Sequence, residues 1–313
     1  MEGVLDPLMR KFITRVSSVD FCSTEFIRVT DRHVPTNTFF RYAPEINNES
    51  KTENGTPVLV QLLGGKPHWM AENAQSALNL GAHGIDINFG CPARNVNRHD
   101  GGAALLKDPS RLFDTISTIR KKVGDDAHVS AKVRLGFSDK SKALDISKAC
   151  SDAGATWLTV HARTKEEGYR PPAHWHVIKK MKDASSIPVF ANGDIWDLNA
   201  YKKCVTESEC SDVMIGRGLM RNPFLVSEIK NNQELNLHLK NQETLKLIID
   251  YFKEAQFVYG ENTALGRIKQ WLKMCTHPEN LFFENIFNQT KGTQTAREAL
   301  EALASFLDKE PHT

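Results

Sequence analysis

The chain has 313 residues, of which 40% are hydrophobic and 25% are charged, and its formal net charge at pH 7 is +2. This composition is typical of a globular protein, and the length suffices for one large domain or two ordinary ones. Because the sequence has neither a long apolar run nor a secretory leader, we expect a cytoplasmic protein without a membrane segment.

Short runs of β-type residues alternate with helical patterns over the first two thirds of the chain. They begin near residues 21, 57, 84, 128, 156, 188 and 212. Strands that alternate with helices predict a parallel sheet, and seven or eight such units in about 230 residues favour a (β/α)8 TIM barrel over a doubly wound sheet. The lack of a G-x-G-x-x-G motif also argues against the doubly wound sheet.

Several helix ends are marked by residue type. Asp108 is predicted to cap a helix that has Pro109 at its first position. Gly81 and Gly154 are suited to left-handed caps at the ends of two other helices. The predicted buried face of the helix after Asp108 consists of Leu112, Phe113, Ile116 and Val123.

Beyond Asn232 the strand patterns stop, and residues from about 240 to 308 have the periodicity of several helices. We therefore predict a barrel domain over residues 1–232 and a small all-α domain over 237–310, with a linker around 231–236. In one of these helices, a buried stripe is predicted at Ile268, Trp271, Leu272 and Cys275.

The stretch from Gly84 to Gly102 combines a strand with reactive side chains. A β-branched run ends at Gly90-Cys91-Pro92, and the loop that follows contains Arg94, Arg98 and His99. Pro92 cannot donate to a strand ladder, so the Cys91 thiol is expected where the strand stops. Considered alone, Cys91 would sooner be taken for a buried structural thiol.

The six cysteines, at positions 22, 91, 150, 204, 210 and 275, show no C-x-x-C pair and no zinc-ligand spacing. In a long chain without a leader this pattern predicts reduced thiols, no disulfide and no metal site.

The segment Asn88-Phe89-Gly90-Cys91-Pro92, followed by basic residues and Gly-Gly-Ala, resembles the tRNA-dihydrouridine synthase family. Within that family R-I-K-Q-W-L at 267–272 is most similar to the bacterial C-type branch. Further motifs occur in the family's order over more than two thirds of the chain: M-E-G-V-x-D at 1–6, Q-L-L-G at 61–64, K-V-R-L-G at 132–136, V-H-A-R-T at 160–164, A-N-G-D-I at 191–195 and I-G-R-G at 215–218.

The resemblance implies FMN at the carboxyl ends of the barrel strands, where barrel enzymes keep their active sites. It implies that Gln61, Lys132 and His161 contact the flavin ring; without it, Lys132 would be taken for a snorkelling side chain and His161 for a structural histidine. Met1 and Glu2 complete the expected flavin contacts. A phosphate cup, favoured by glycine backbone and an arginine, is predicted from Asn192, Gly193, Asp194, Gly216 and Arg217.

The mechanism implied by the family is hydride transfer from reduced FMN to C6 of uracil, with a proton delivered to C5 by Cys91. A thiol with the ordinary pKa of about 8.5 is mostly protonated near neutral pH, so it can act as an acid. Asn88 is expected to offer its amide to the uracil, which must leave its base stack to react. NADPH is the expected transient reductant.

The net charge is too small to indicate nucleic-acid binding, but basic side chains concentrate on the loop side of the predicted strands. Basic helix faces are usually just solvated, and the family resemblance is what favours RNA contact in the helical region. The predicted substrate and RNA contacts are Asn88, Arg94, Arg134, Arg267, Lys269 and Lys273.

We therefore expect an FMN- and NADPH-dependent tRNA-dihydrouridine synthase, acting as a monomer on uridine 16 of the D-loop, with tRNA as its partner and no metal. An FMN-barrel dehydrogenase of a free pyrimidine and a catalytically silent tRNA-binding protein are the alternatives.

Family members have a short strand ending in A-P before M-E-G-V, whereas Met1 is already the methionine of this motif. Seven strands are therefore expected, with the barrel open between the strands near residues 21 and 212. A chain extended upstream by a strand-forming segment is expected to be more stable and to hold FMN more tightly.

Overall fold

The structure, a computed structural model, describes residues 3–278 and 280–307. Met1 and Glu2, which are predicted flavin contacts, lie outside these residues. A single parallel sheet contains all the named strands: β1 (Cys22–Ser23), β2 (Ile27–Arg28), β3 (Val58–Leu63), β4 (Ile85–Asn88), β5 (Val129–Arg134), β6 (Leu158–His161), β7 (Val189–Asn192) and β8 (Val213–Met214).

The sheet follows the order β1-β3-β4-β5-β6-β7-β8, and β2 also pairs with β3. The predicted first strand is divided in two, because the Thr24 hydroxyl rather than a backbone carbonyl accepts the Gln61 N–H at 3.0 Å. Among the described residues no pairing joins β1 to β8. The sheet is therefore curled and open, and the predicted parallel barrel-type architecture is confirmed.

Helices follow most strands. Those that alternate with the strands are α2 (Thr36–Tyr42), α3 (Pro67–Asn79), α4 (Arg94–Arg98), α5 (Pro109–Val123), α6 (Ala143–Asp152), α7 (Trp175–Asp183) and α8 (Leu198–Ser208). The others are α1 (Pro7–Val16), α9 (Arg217–Arg221), α10 (Leu225–Asn231), α11 (Leu237–Tyr259), α12 (Glu261–Cys275), α13 (Leu281–Thr290) and α14 (Ala296–Ala304). Within 3–278 and 280–307 no helix is both long and apolar enough to cross a membrane.

Helix α5 begins as predicted, since the Asp108 side chain accepts the Ser110 N–H at 3.1 Å and Pro109 takes the first position. Leu112 and Ile116 are fully buried. The prediction was wrong for Phe113, which is 40% exposed, because one step along a helix turns a side chain by about 100° away from its neighbour.

The predicted left-handed caps are confirmed by φ values of +102° at Gly81 and +88° at Gly154.

The described residues form two compact units. The first consists of residues 3–7, Asp20–Ile195 and Asn199–Gly216, and the second of Leu8–Val19, Trp196–Leu198 and 217–307. The predicted boundary at residue 232 thus lies inside the second unit.

Two contacts explain the composition of the second unit. The Trp271 indole donates to the Met220 carbonyl at 2.9 Å, and Phe12 of α1 meets Tyr251 edge-on at 5.6 Å between ring centroids. The predicted stripe on α12 is buried, since Ile268, Trp271 and Leu272 are 0% exposed and Cys275 is 1% exposed.

Candidate active site

Polar side chains line the carboxyl ends of the central strands in the first unit. Strand register places Gln61 beside Asp86, Asn88 beside Lys132, and His161 beside Asn192. Side chains two apart on a strand share a face, so Asp86 and Asn88 point the same way. The predicted ring contacts Gln61, Lys132 and His161 therefore lie together with Asn88 and Asn192 at the carboxyl ends of these strands. We call this end of the sheet the polar edge.

Lys132 is the cation of this edge. Its Nζ donates to Asn192 Oδ1 at 3.0 Å, and Asn192 in turn donates to the Met214 carbonyl at 2.8 Å. Burial and the nearby Arg134 charge lower the pKa of Lys132 to about 8, although Asp86 acts in the opposite direction. An ammonium in this setting gains from any anion placed beside it.

Gly193 has a φ of +117°, and a Cβ built on it would lie 3.4 Å from the His161 ring. The backbone of the predicted phosphate loop therefore packs closely against His161. With Lys132 and Asn192 adjacent, these residues supply a cation, an amide group and glycine backbone within one small region. This set of donors fits a flavin, which needs both a partner for its amide-like ring edge and a cation for its reduced form.

Asp86 lies beneath this edge at 1% exposure. Its two oxygens accept from Ser130 Oγ at 2.7 Å and from Gln61 Nε2 at 2.6 Å. Burial raises the pKa of the Asp86 carboxyl, whereas these two hydrogen bonds and the Lys132 charge oppose the rise. Asp86 was not predicted as a site residue, although its alternation with Asn88 along the strand was the available signal.

Asn88 joins Asp86 to the reactive loop. Its Nδ2 donates to Gln61 Oε1 at 2.9 Å, and its Oδ1 accepts the backbone N–H groups of Gly90 and Cys91, each at 3.0 Å. A single side chain therefore ties the end of β4 to the turn that carries the thiol.

The Cys91 segment is held on several sides. The Cys91 carbonyl accepts from the Ala103 N–H at 3.1 Å and from Asn97 Nδ2 at 2.9 Å. Gly102 has a φ of +58°, and a Cβ built there would lie 3.0 Å from the Cys91 carbonyl oxygen and 3.1 Å from its Cβ. Cys91 is half-buried and follows the end of β4 at Asn88, where the sequence predicts it, and its role as an acid stays a prediction.

Arg134, the last residue of β5, connects the loops that follow β4 and β6. It donates to the carbonyls of Gly90 at 2.8 Å, Thr164 at 3.1 Å and Gly168 at 2.9 Å, and it is 3% exposed. Sequence reasoning did not detect this role, since it depends on carbonyls far along the chain. RNA contact by Arg134 stays a prediction. Its guanidinium already donates to three backbone carbonyls.

Asp194 has a buried partner. Arg163, which is 0% exposed, donates to both oxygens of the Asp194 carboxylate, with one distance of 3.1 Å. The carboxylate that follows Gly193 is therefore neutralised by an arginine. Its contact with a phosphate stays a prediction, and backbone N–H is the group that Asp194 offers. Arg163 belongs to the basic residues that the sequence predicts on the loop side of the strands, and its burial was not predicted.

Gly216 follows β8, and Arg217 begins α9. In the second unit the Arg217 guanidinium lies 4.9 Å from the centre of the Trp196 ring, and Arg221 lies 4.2 Å from the same centre. The contribution of Gly216 and Arg217 to a phosphate cup stays a prediction.

The predicted RNA contacts differ in how available they are. In the second unit Lys273 is exposed and lies 5.0 Å from the Phe287 ring centre, and Arg267 lies 5.0 Å from that of Tyr259. Lys269 instead donates to the Thr293 carbonyl at 2.6 Å. In the first unit Arg94 is exposed at the start of α4.

Within 3–278 and 280–307 no group of three or more His, Cys, Asp or Glu side chains is arranged to hold a metal ion.

Comparison with solved structures defines the class of fold. An old yellow enzyme homologue from Zymomonas mobilis superposes with a TM-score of 0.52 at 13% sequence identity, covering 75% of this chain and 86% of that chain. At this identity the similarity establishes the fold alone, a barrel-type parallel sheet surrounded by helices.

Sequence comparison then gives the family. The model of the dihydrouridine synthase family matches residues 1–308, and the chain belongs to this family. The tRNA-dihydrouridine(16) synthase of Aquipseudomonas alcaligenes is 43% identical over 284 residues, covering 89% of this chain and 90% of the relative. The enzyme of that name from Neisseria meningitidis serogroup B is 43% identical over 314 residues, covering 98% and 92%. The family reduces uridine in tRNA, with FMN as cofactor and NADPH as reductant.

Proposed function

We propose that this chain reduces the uridine at position 16 of tRNA to 5,6-dihydrouridine, with Cys91 as the general acid. The observation that supports the proposal is the Cys91 thiol, held at the end of β4 through Asn88 and beside the edge that carries Lys132. The names of the relatives supply position 16.

When bound, FMN supplies the hydride, and NADPH reloads it. Gln61, Lys132 and His161 hold the ring, and Lys132 offers a positive charge to the reduced form, because its ammonium lies in a half-buried setting where solvent screens it weakly. Asn192, Gly193, Asp194, Gly216 and Arg217 hold the phosphate. Backbone N–H groups and an arginine are the groups that such an anion prefers.

Cys91 donates its proton to C5 of the uracil ring while Asn88 orients the base through its amide. A thiol can perform this step near neutral pH because its ordinary pKa of about 8.5 keeps it protonated. We further propose that residues 1–232 carry the FMN site and that residues 237–310 bind tRNA. The exposed cation Lys273 supports this second assignment.

The test compares Cys91→Ala with Cys22→Ala, since Cys22 and Cys91 are the two half-buried thiols. In Cys91→Ala we expect dihydrouridine formation to fall by about two to four orders of magnitude, the usual effect of removing a general acid, while flavin content and NADPH oxidation persist. Cys22→Ala should retain activity. The readout is dihydrouridine at position 16, measured by mass spectrometry of tRNA fragments.

Wild-type turnover in Cys91→Ala would remove this thiol from the mechanism. Reduction of free uracil in preference to tRNA would favour the free-pyrimidine dehydrogenase, and tRNA binding without any flavin would favour the silent binder.

A further inference from the structure

The side-chain amides of Gln61 and Asn88 have a defined orientation, because both ends of their hydrogen-bond chain have a fixed polarity. At one end, the backbone N–H groups of Gly90 and Cys91 can only donate, and both reach Asn88 Oδ1. At the other end, Asp86 accepts from Gln61 Nε2. Only one arrangement of the two intervening amides satisfies both ends.

This arrangement leaves Asn88 with a donor for any further partner. Its oxygen already accepts two backbone hydrogens, whereas its Nδ2 gives one hydrogen to Gln61 Oε1 and retains a second that has no acceptor among residues 3–278 and 280–307. An N–H group binds a carbonyl oxygen and opposes another N–H group. Uracil presents two ring carbonyls, whereas cytosine replaces one of them with an amino group.

We propose that Asp86 is a positioning residue that, through Gln61, keeps the Asn88 N–H directed at a carbonyl of the base and keeps Cys91 in place on the loop that Asn88 anchors. The inference rests on the proposed function, because the base to be recognised is the uridine of that reaction. Asp86 acts through Gln61 and Asn88 and has no contact of its own with the substrate.

The polarity of this chain does not depend on the charge of Asp86. If the carboxyl is protonated, it can donate from Oδ1 to the Ser130 hydroxyl, which also accepts, while Oδ2 continues to accept from Gln61. An asparagine at position 86 has the same pattern, with its oxygen toward Gln61 and its nitrogen toward Ser130. The acceptor at position 86 therefore matters more than the negative charge.

Three variants separate these features. Asp86→Leu removes the acceptor, Asp86→Asn keeps the acceptor and removes the charge, and Ser130→Ala removes the other partner of Asp86 without touching the amide chain. Each is loaded with FMN, and its melting temperature identifies conditions in which it is folded.

Two measurements are made on the folded variants. The first is the rate at which iodoacetamide alkylates Cys91 relative to Cys22, determined by peptide mapping of the same sample, so that Cys22 serves as an internal reference. The second is kcat/KM for tRNA. Loss of stability alone would leave the alkylation ratio of the folded protein unchanged, whereas a displaced Cys91 loop would alter it.

In Asp86→Leu we expect the alkylation ratio to change several-fold and kcat/KM to fall by about 100-fold, the effect of a misplacement near 1 Å at a reacting group. Asp86→Asn and Ser130→Ala should remain close to wild type in both measurements. A folded Asp86→Leu protein with the wild-type ratio and kcat/KM would overturn the proposal, as would equal losses in all three variants.

If Asp86→Leu does not fold, Gln61→Met interrupts the next link without removing a buried acid, and it must change the alkylation ratio in the same way. An unchanged ratio there would also overturn the proposal. If the wild-type chain forms no dihydrouridine, the proposed function fails, yet the alkylation ratio still decides whether Asp86 positions Cys91.

Discussion

At the scale of single residues, two interior charges of the first unit have a group of opposite sign nearby. Asp194 is held by Arg163, and Lys132 shares its surroundings with Asp86. Burying a charge without a partner destabilises a fold strongly, so these pairs explain how a polar edge persists on a buried sheet. The same burial lowers the pKa of Lys132, so the free energy of unfolding should depend on pH.

The free energy of unfolding of the flavin-free protein should rise with pH through the contribution of Lys132. Its pKa is about 8 in the folded chain, against an ordinary value of 10.5. Between these values the unfolded chain holds one proton more, so raising the pH favours the folded state. The full effect is at most about 3 to 4 kcal/mol, at roughly 1.4 kcal/mol per unit of pKa, and solvent screening reduces it.

Urea unfolding of wild type and Lys132→Met at several values between pH 7 and pH 10 measures this contribution. As the pH rises above 8, the free energy of unfolding of wild type should increase relative to that of the variant. Parallel pH profiles would contradict the assigned burial of Lys132.

At the scale of elements, the turn before α5 fixes the position of the thiol. Gly102→Ala adds a Cβ against Cys91, whereas Gly124→Ala adds one at another positive φ, +82°, with no atom within 4 Å. Both substitutions carry the backbone strain, on the order of 1 to 3 kcal/mol, of a Cβ at positive φ. Only Gly102→Ala should also lower dihydrouridine formation, because it displaces Cys91.

The measurement pairs melting temperature with kcat for tRNA. We expect both variants to lose stability and only Gly102→Ala to lose activity. Equal activity in both variants would show that the contact between residue 102 and Cys91 does not constrain the thiol.

The elements were predictable where local chemistry determines them. Asp108 caps α5, and Gly81 and Gly154 end helices, because these depend on residues close in sequence. The division of the first strand was not predictable, since it depends on a hydrogen bond from Gln61 to Thr24 across the sheet. The partners of Arg134 escaped prediction for the same reason, as their carbonyls lie on a separate loop.

At the scale of the whole molecule, tRNA affinity should fall steeply with salt and depend on exposed cations. Replacing a lysine that contacts phosphate reduces the slope of log K against log salt by about 0.7 to 0.9. We expect this reduction in Lys273→Gln. Lys269→Gln should instead lower the melting temperature, since this lysine donates to the Thr293 carbonyl.

Lys253→Gln, at an exposed lysine of α11, controls for net charge. Binding titrations from 50 to 300 mM salt would give the slopes. A slope unaffected by Lys273→Gln would place the phosphate contacts elsewhere.

The chain-level organisation was only partly evident from the sequence. The helical region beyond residue 237 was predicted from its periodicity, and the structure finds helices there. That α1 and residues 217–232 join the second unit was not predictable, because pairs such as Phe12 with Tyr251 and Trp271 with Met220 leave no periodic signal.

The strands differ in length, and we expect the shorter ones to open locally more often than the longer ones. β3 and β5 have six residues each, whereas β1, β2 and β8 have two each. Native-state hydrogen exchange should therefore be slowest on β3 to β6 and progressively faster toward β1 and β8, where local opening breaks few bonds. The hydrogen bond between Gln61 and Asp86 should therefore stay formed during local openings that break the bond between Asn192 and the Met214 carbonyl. One half of the site should thus open less often than the other.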